Sequence, residues 1–241
     1  MWSLLDRIEA RLAAVRGKGN SWYSIASEVN AAVRLMKDQG GLIIDIGGNV
    51  GEYAALLRAR LPGAEIHIFE PAPINIQALR NRFDSDTRVI LQPYALSDSA
   101  STAILYSDTP GSGLASLTQR RLEHHGLRLD LAQQVETIRF EDYWRNNLSG
   151  RRITFAKVDV EGHELTALRG FGEAINHTDL VQFEFGGTCI DTRVFFRDFW
   201  YFFQEHGFQI HRITPIGLEH IRKYREADEC FNTTNFIACR I

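Results

Sequence analysis

In the first forty residues the apolar positions recur at helical spacing. Leu4, Leu5, Ile8, Leu12 and Val15 fall on one face of a helix over residues 4–15. A second helix is expected to start at Ser21, a favourable N-cap residue, and to carry Ile25, Val29, Val33 and Met36 on one side before Gly40-Gly41 ends it. Both precede the first strong strand and read as an N-terminal helical cap, residues 1–40, packed against the sheet. From residue 42 the period changes. Leu42–Ile46 is a short apolar strand, and a helix follows from Gly51 to Arg60. Ile66–Phe69 is a second strand with a helix over Ile74–Phe83, and Val89–Leu91 is a third. Ile153–Val160 is a fourth, followed by a short helix that Gly170 closes, and Leu180–Phe185 is a fifth. Strands alternating with helices predict a parallel sheet covered on both faces. Phe208–Ile213 and Asn235–Ile241 read as a closing antiparallel pair, joined by about twenty residues that include Pro215 and Gly217.

Two segments break the alternation. Thr102–Tyr106 and Val135–Phe140 read as extra strands, and between them runs Ser107–Gln134, with Pro110-Gly111-Ser112-Gly113 and a polar helix around Gln119–His125. An insertion this long is usually functional, and the expectation is a lid over a substrate. The aromatic run Phe195–Phe203 reads mainly as core at helical spacing.

The 241 residues, 44% of them hydrophobic, suit one large α/β domain, 1–241. Twenty-seven basic against 30 acidic residues give a net charge of −3, which argues against a nucleic-acid partner. Cys189, Cys230 and Cys239 are an odd set without a CxxC pair and read as reduced thiols. Asp6, Arg7, Glu9 and Arg11 interrupt any signal-like stretch, and no apolar run approaches the roughly 20 residues of a membrane span. A cytoplasmic location without integral membrane association is expected, and a homodimer is compatible with the chain.

The chemistry is concentrated at two strand ends. The first strand runs into Asp45-Ile46-Gly47-Gly48-Asn49-Val50-Gly51-Glu52-Tyr53. Strand, glycine turn and helix N-terminus form a nucleotide-type site. The spacing departs from the dinucleotide fingerprint, and Asp45 would repel a pyrophosphate. It suits a ligand bearing ammonium and sulfonium charges. Glu70 and Pro71, ending the second strand, place a carboxylate to accept from ribose hydroxyls. Ala95 and Leu96, after the third strand, are positioned for an adenine face, and Asp98 for its amine. The fourth strand ends in Lys157-Val158-Asp159-Val160-Glu161-Gly162-His163-Glu164, and Glu184 ends the fifth. So much charge at a strand end is costly without a use.

The runs DIGGNVGEY, FEP, ALSD and KVDVEGHELTALRG resemble the FkbM family of S-adenosylmethionine-dependent methyltransferases over roughly residues 42–240. The resemblance implies a class I methyltransferase fold: a Rossmann-like three-layer α/β/α sandwich with a mostly parallel seven-stranded sheet and a C-terminal antiparallel strand. It also implies O-methylation of a sugar, glycolipid or natural-product hydroxyl, with S-adenosylhomocysteine as product. Asp45, Gly47, Gly48, Asn49, Gly51, Tyr53, Glu70, Pro71, Ala95, Leu96 and Asp159 form the expected cofactor set. Gly48 stands where the family often has alanine, a mild change. Asp159, Glu161, His163 and Glu184 are the candidate catalytic groups, since an alcohol needs its proton removed as the new bond forms. No metal-ligand geometry is visible, and a metal-free site is expected, with a divalent cation on Asp159, Glu161 and Glu184 as the alternative. A catalytically silent cofactor-binding module that regulates or scaffolds a partner is the alternative to an enzyme.

Overall fold

The computed structural model describes residues 2–19 and 24–241, so the expected N-cap at Ser21 lies outside the described residues. In chain order the elements are α1 (Trp2–Val15), α2 (Ile25–Leu35), β1 (Leu42–Ile46), α3 (Glu52–Arg60), β2 (Glu65–Phe69), α4 (Pro73–Phe83), β3 (Val89–Gln92), β4 (Ala95–Ser97), β5 (Ser101–Ser107), β6 (Leu131–Arg139), α5 (Phe140–Asn147), β7 (Ile153–Val158), α6 (Glu164–Arg169), β8 (Thr178–Phe185), α7 (Thr188–Thr192), α8 (Phe196–Glu205), β9 (Phe208–Thr214), β10 (Gly217–Ile221) and β11 (Thr234–Arg240).

The main sheet runs β10-β9-β11-β8-β7-β1-β2-β3. Strands β3, β2, β1, β7 and β8 are mutually parallel, and β11 lies antiparallel between β8 and β9. The sheet has eight strands, one more than expected. The extra strand, β10, is an antiparallel edge partner of β9. Of its residues only Ile221 is buried, so it carried no apolar signal and read as loop.

The pleat of β1 divides the core. Leu42, Ile44 and Ile46 face one side, with Phe69, Phe140, Leu168, Phe183 and Phe203. Ile43 faces the other, with Val29, Ala54, Leu57, Ile68 and Leu79. Full burial of side chains of this size contributes about 1.5–3 kcal/mol each. The aromatic run is core as expected: Phe196, Phe199 and Phe203 of α8 are fully buried, and Phe183 stacks 4.9 Å from both Phe199 and Phe203.

Three local expectations are corrected. Helix α1 forms, but its apolar face does not pack on the sheet; Leu4 and Leu12 are 61% and 63% exposed. The insertion carries a short 3-10 turn at Glu123–His125 rather than a helix over 119–125, and Gly126 ends that turn in a left-handed conformation. Around it β4, β6 and β5 form a separate three-stranded sheet. Phe140 begins α5 instead of ending a strand, its ring fully buried 4.3 Å from Phe171.

Candidate functional site

The carboxyl ends of β1, β2, β7 and β8 converge on a cavity of about 290 Å³, in the position where open α/β sheets bind ligands. Gly47 and Gly48 donate their N–H groups to the Phe69 carbonyl at 2.9 and 3.2 Å, which ties the turn after β1 to the end of β2. Gly47 has φ +78°, and a Cβ there would overlap the Asp159 carbonyl oxygen, so only glycine lets the two strand ends close. At Gly48 a Cβ would overlap the Cγ2 methyl of Ile68. Alanine does not fit beside that isoleucine without a shift, so the departure from the family pattern is not mild.

Glu70 is 6% exposed and fully engaged. It accepts from Asn49 N at 2.8 Å, Ala72 N at 2.9 Å and Asn75 Nδ2 at 3.3 Å. Burial raises its pKa against those donors. Asn49 (φ +46°) also caps the turn, its Oδ1 accepting from Val50 N at 2.7 Å. Asp45 lies behind the turn, outside the cavity lining. It is fully buried, and both carboxylate oxygens lack a hydrogen-bond partner. Burial raises its pKa, Lys157 opposes this, and Asp159 adds to it. Tyr53, Pro71, Ala95 and Leu96 line the cavity as expected; Asp98 does not, and accepts from Ser99 Oγ at 3.2 Å.

The crowded run after β7 separates into three jobs. Glu164 accepts from Val160 N at 3.1 Å and Gly162 N at 3.0 Å, and so fixes the turn in which Glu161 is left-handed, φ +57°. Asp159 and Glu161 line the cavity. His163 lines the same cavity, with Nε2 3.2 Å from Ser97 Oγ, and burial lowers its pKa. Glu161 is held by the insertion. Arg120 Nη1 pairs with its Oε2 at 2.8 Å, and Ser116 Oγ donates to its carbonyl at 2.8 Å. Burial, reinforced by Asp159, pushes Glu161 up to about 7 in spite of the Arg120 guanidinium.

The insertion, read as a lid, and α2 of the N-terminal cap both reach the cavity. Ser112, Gly113, Ala115, Ser116 and Leu117 come from the insertion, and Ile25 and Glu28 from α2. Glu28 accepts from Gln182 Nε2 at 2.9 Å and Asn235 Nδ2 at 3.3 Å, while Tyr53 donates its hydroxyl to Gln182 Oε1 at 2.7 Å. Burial pushes Glu28 up to about 7. Lys157 lines the cavity and pairs with a carboxylate, its Nζ 2.8 Å from Asp159 Oδ2 and 5.0 Å from the Tyr53 ring centroid. Burial alone would lower it, but Asp159 and Asp45 hold it above its ordinary range. Glu28, Arg120 and Asn235 were missed from the sequence. A signal existed for Glu28, a charge on the apolar face of α2 between Ile25 and Val29. None existed for Arg120, whose partner lies in another segment.

Among the described residues no group of three His, Cys, Asp or Glu side chains is placed to share a metal ion, and no helix is long and apolar enough to cross a membrane. The sheet order and the place of the cavity are those of the class I methyltransferase fold. A putative O-methyltransferase from Klebsiella pneumoniae has the same fold, with a TM-score of 0.51 at 12% identity over 98% of this chain and 89% of that one. The model described as the Methyltransferase FkbM domain matches residues 45–210, and the chain belongs to this family of S-adenosylmethionine-dependent methyltransferases. Methyltransferase 1 of Beauveria bassiana is 26% identical over 156 residues, 58% of this chain and 61% of that protein. The 2-O-methyltransferase NoeI of Sinorhizobium fredii is 28% identical over 163 residues, 64% and 66% of the two chains. The chain thus spans about six-tenths of the length of the first relatives it matches. The residues present fit the family's cofactor: Gly47, Gly48 and Asn49 line the cavity at the turn, and Glu70 is held rigidly at the end of β2.

Proposed function

We propose that the protein methylates a hydroxyl group of a sugar, glycolipid or related natural product, and that Glu161 is the group that takes up the hydroxyl proton. The observation that carries this is the placement of Glu161: a cavity-lining carboxylate at the end of β7, turned inward by a strained left-handed backbone and raised by burial to about 7. A base with that affinity takes a proton near neutral pH and contributes typically about 10²–10⁴-fold. S-adenosylmethionine supplies an activated methyl group, and the chain's own residues do the rest. The glycine turn and Glu70 orient the cofactor, with Ala95 and Leu96 as the adenine wall. The insertion and α2 exclude water, and Glu161 and Asp159 align the hydroxyl. Correct alignment is worth up to about 7–11 kcal/mol of barrier. The printed name of NoeI, a 2-O-methyltransferase, supports oxygen as the acceptor atom.

The test is calorimetric titration of S-adenosylhomocysteine into the intact protein, Asp45→Ala and Glu70→Ala, with NAD as control. Micromolar binding by the intact protein, lost in both variants, is the expected result. No binding, or preference for NAD, would overturn the reading. Labelled methyl transfer to acceptors from a cell extract separates an enzyme from a silent binding module.

A further inference from the structure

Around the part of the cavity beyond the glycine turn, nearly every hydrogen-bond donor is already committed. Lys157 is bound to Asp159, and Arg120 to Glu161 and the Leu114 carbonyl. Ser116 donates to the Glu161 carbonyl. Gln182 and Asn235 both donate to Glu28. Asn235 is the residue paired with Glu184 across β11 and β8, so the nearest amide is spent elsewhere. Glu184 is left over. It lines the cavity, is 8% exposed, and its side chain makes neither a hydrogen bond nor an ion pair among the described residues. A buried carboxylate without a donor is costly, and the cavity into which it faces is where a donor has to come from.

Resting on the methyltransferase reading above, we propose that the acceptor presents an ammonium group to Glu184, so that the substrate is an amino-bearing hydroxyl compound of the amino-sugar type and not a uronate or other anionic sugar. The strand order says why this ammonium belongs to the acceptor. The cofactor cradle is built on β1 and β2, whereas Glu184 ends β8, two strand steps from β1, a distance of about 10 Å. Asp159 and Glu161 stand between them at the end of β7. A hydroxyl held at β7 and an ammonium held at β8 are separated by about one strand spacing, roughly 5 Å, the reach of a 1,3-amino alcohol. The reaction balances without a further reagent. The hydroxyl oxygen forms a bond to the methyl carbon, the sulfur–methyl bond breaks to give neutral S-adenosylhomocysteine, the hydroxyl proton passes to Glu161, and the ammonium keeps its protons. A sugar carboxylate in the same place would meet Glu28, Asp159, Glu161 and Glu184, with the Lys157 and Arg120 charges already paired to Asp159 and Glu161.

The experiment titrates D-glucosamine, D-glucose and D-glucuronate into the protein saturated with S-adenosylhomocysteine, for the intact chain and for Glu184→Gln. The expected result is glucosamine binding about ten-fold tighter than glucose, with glucuronate weakest, as a charge-assisted hydrogen bond predicts. In Glu184→Gln glucosamine falls to within about three-fold of glucose, while S-adenosylhomocysteine affinity changes less than about two-fold. Four results overturn the proposal: glucuronate binding as well as glucosamine, a glucosamine preference that survives in the variant, no glucosamine binding to a protein that holds S-adenosylhomocysteine, or a roughly ten-fold loss of S-adenosylhomocysteine affinity in Glu184→Gln. The last would assign Glu184 to the cofactor's ammonium, a one-unit effect of about 1.4 kcal/mol. Failure of the intact protein to bind S-adenosylhomocysteine would instead remove the methyltransferase reading itself.

Discussion

The two ends of the cavity are built on opposite principles. At the cofactor end the polar groups that line the cavity are matched: Glu70 takes three donors, Asn49 caps its own turn, and Gly47 and Gly48 tie to Phe69. All of this comes from residues 45–75, two consecutive strand ends. At the acceptor end Glu28, Asp159, Glu161 and Glu184 come from three separate segments, with Lys157 and Arg120 as their cations. The first end is pre-organised by hydrogen bonds and close packing. The second holds electrostatic tension that a ligand is needed to relieve. A rigid cradle beside a charged, unsatisfied chamber is what a group-transfer enzyme needs when one ligand is constant and the other confers specificity.

The contrast breaks most sharply at Gly47. Gly47→Ala drives a methyl group into the Asp159 carbonyl and forces alanine to φ +78°, a strain of about 1–3 kcal/mol before the clash is added. S-adenosylhomocysteine affinity is expected to fall by about 100-fold or more in calorimetry, in a variant whose circular dichroism is retained. Unchanged affinity would mean that the cradle is not rigid. At the other end, Glu161→Gln is expected to lower kcat by about 10²–10⁴-fold with cofactor affinity preserved. Joint loss of both would erase the distinction between the two ends.

Arg120→Ala sharpens the comparison by a smaller step. The guanidinium favours ionised Glu161, so its removal moves the carboxyl further up. In the intact protein kcat is expected to rise with pH through about 7, because the base works only when ionised. In Arg120→Ala that limb moves to higher pH, and activity at neutral pH falls by about ten-fold for one unit of displacement. A pH profile identical to that of the intact protein would refute the pairing as the insertion's contribution.

The same division explains what was legible in the sequence. Leu42–Ile46, the glycine turn and the Phe69-Glu70-Pro71 end were readable because each is a local pattern whose chemistry is completed nearby. At the acceptor end the residue types were readable and the roles were not. Asp159, Glu161, His163 and Glu164 look equivalent in one run. The structure gives Glu164 to backbone N–H groups and leaves Asp159, Glu161 and His163 in the cavity, His163 beside Ser97. That sorting depends on a left-handed backbone at Glu161 and on contacts from residues 112–120, which no local spacing encodes. Strand β10 escaped for a related reason: an edge strand buries too little to show a period.

The smallest effect tests the tension at the acceptor end directly, in the protein without ligands. Burial raises Glu28, Glu161 and Glu164 to about 7, and Glu184 well above its ordinary value, Asp159 and Glu161 adding to the last. A carboxyl raised in the folded state binds more protons folded than unfolded between its two pKa values. Stability therefore falls as pH rises from about 4.3, the unfolded value, to about 7. Glu184→Gln removes one of these ionisations while keeping the side chain's shape. The variant is expected to match the intact protein near pH 5 and to exceed it at pH 8 by on the order of 1 kcal/mol, read as a higher Tm in thermal unfolding. A Tm difference independent of pH would mean that Glu184 is relieved by something already in the fold. The acceptor end would then be as fully matched as the cradle, and the contrast between the two would disappear.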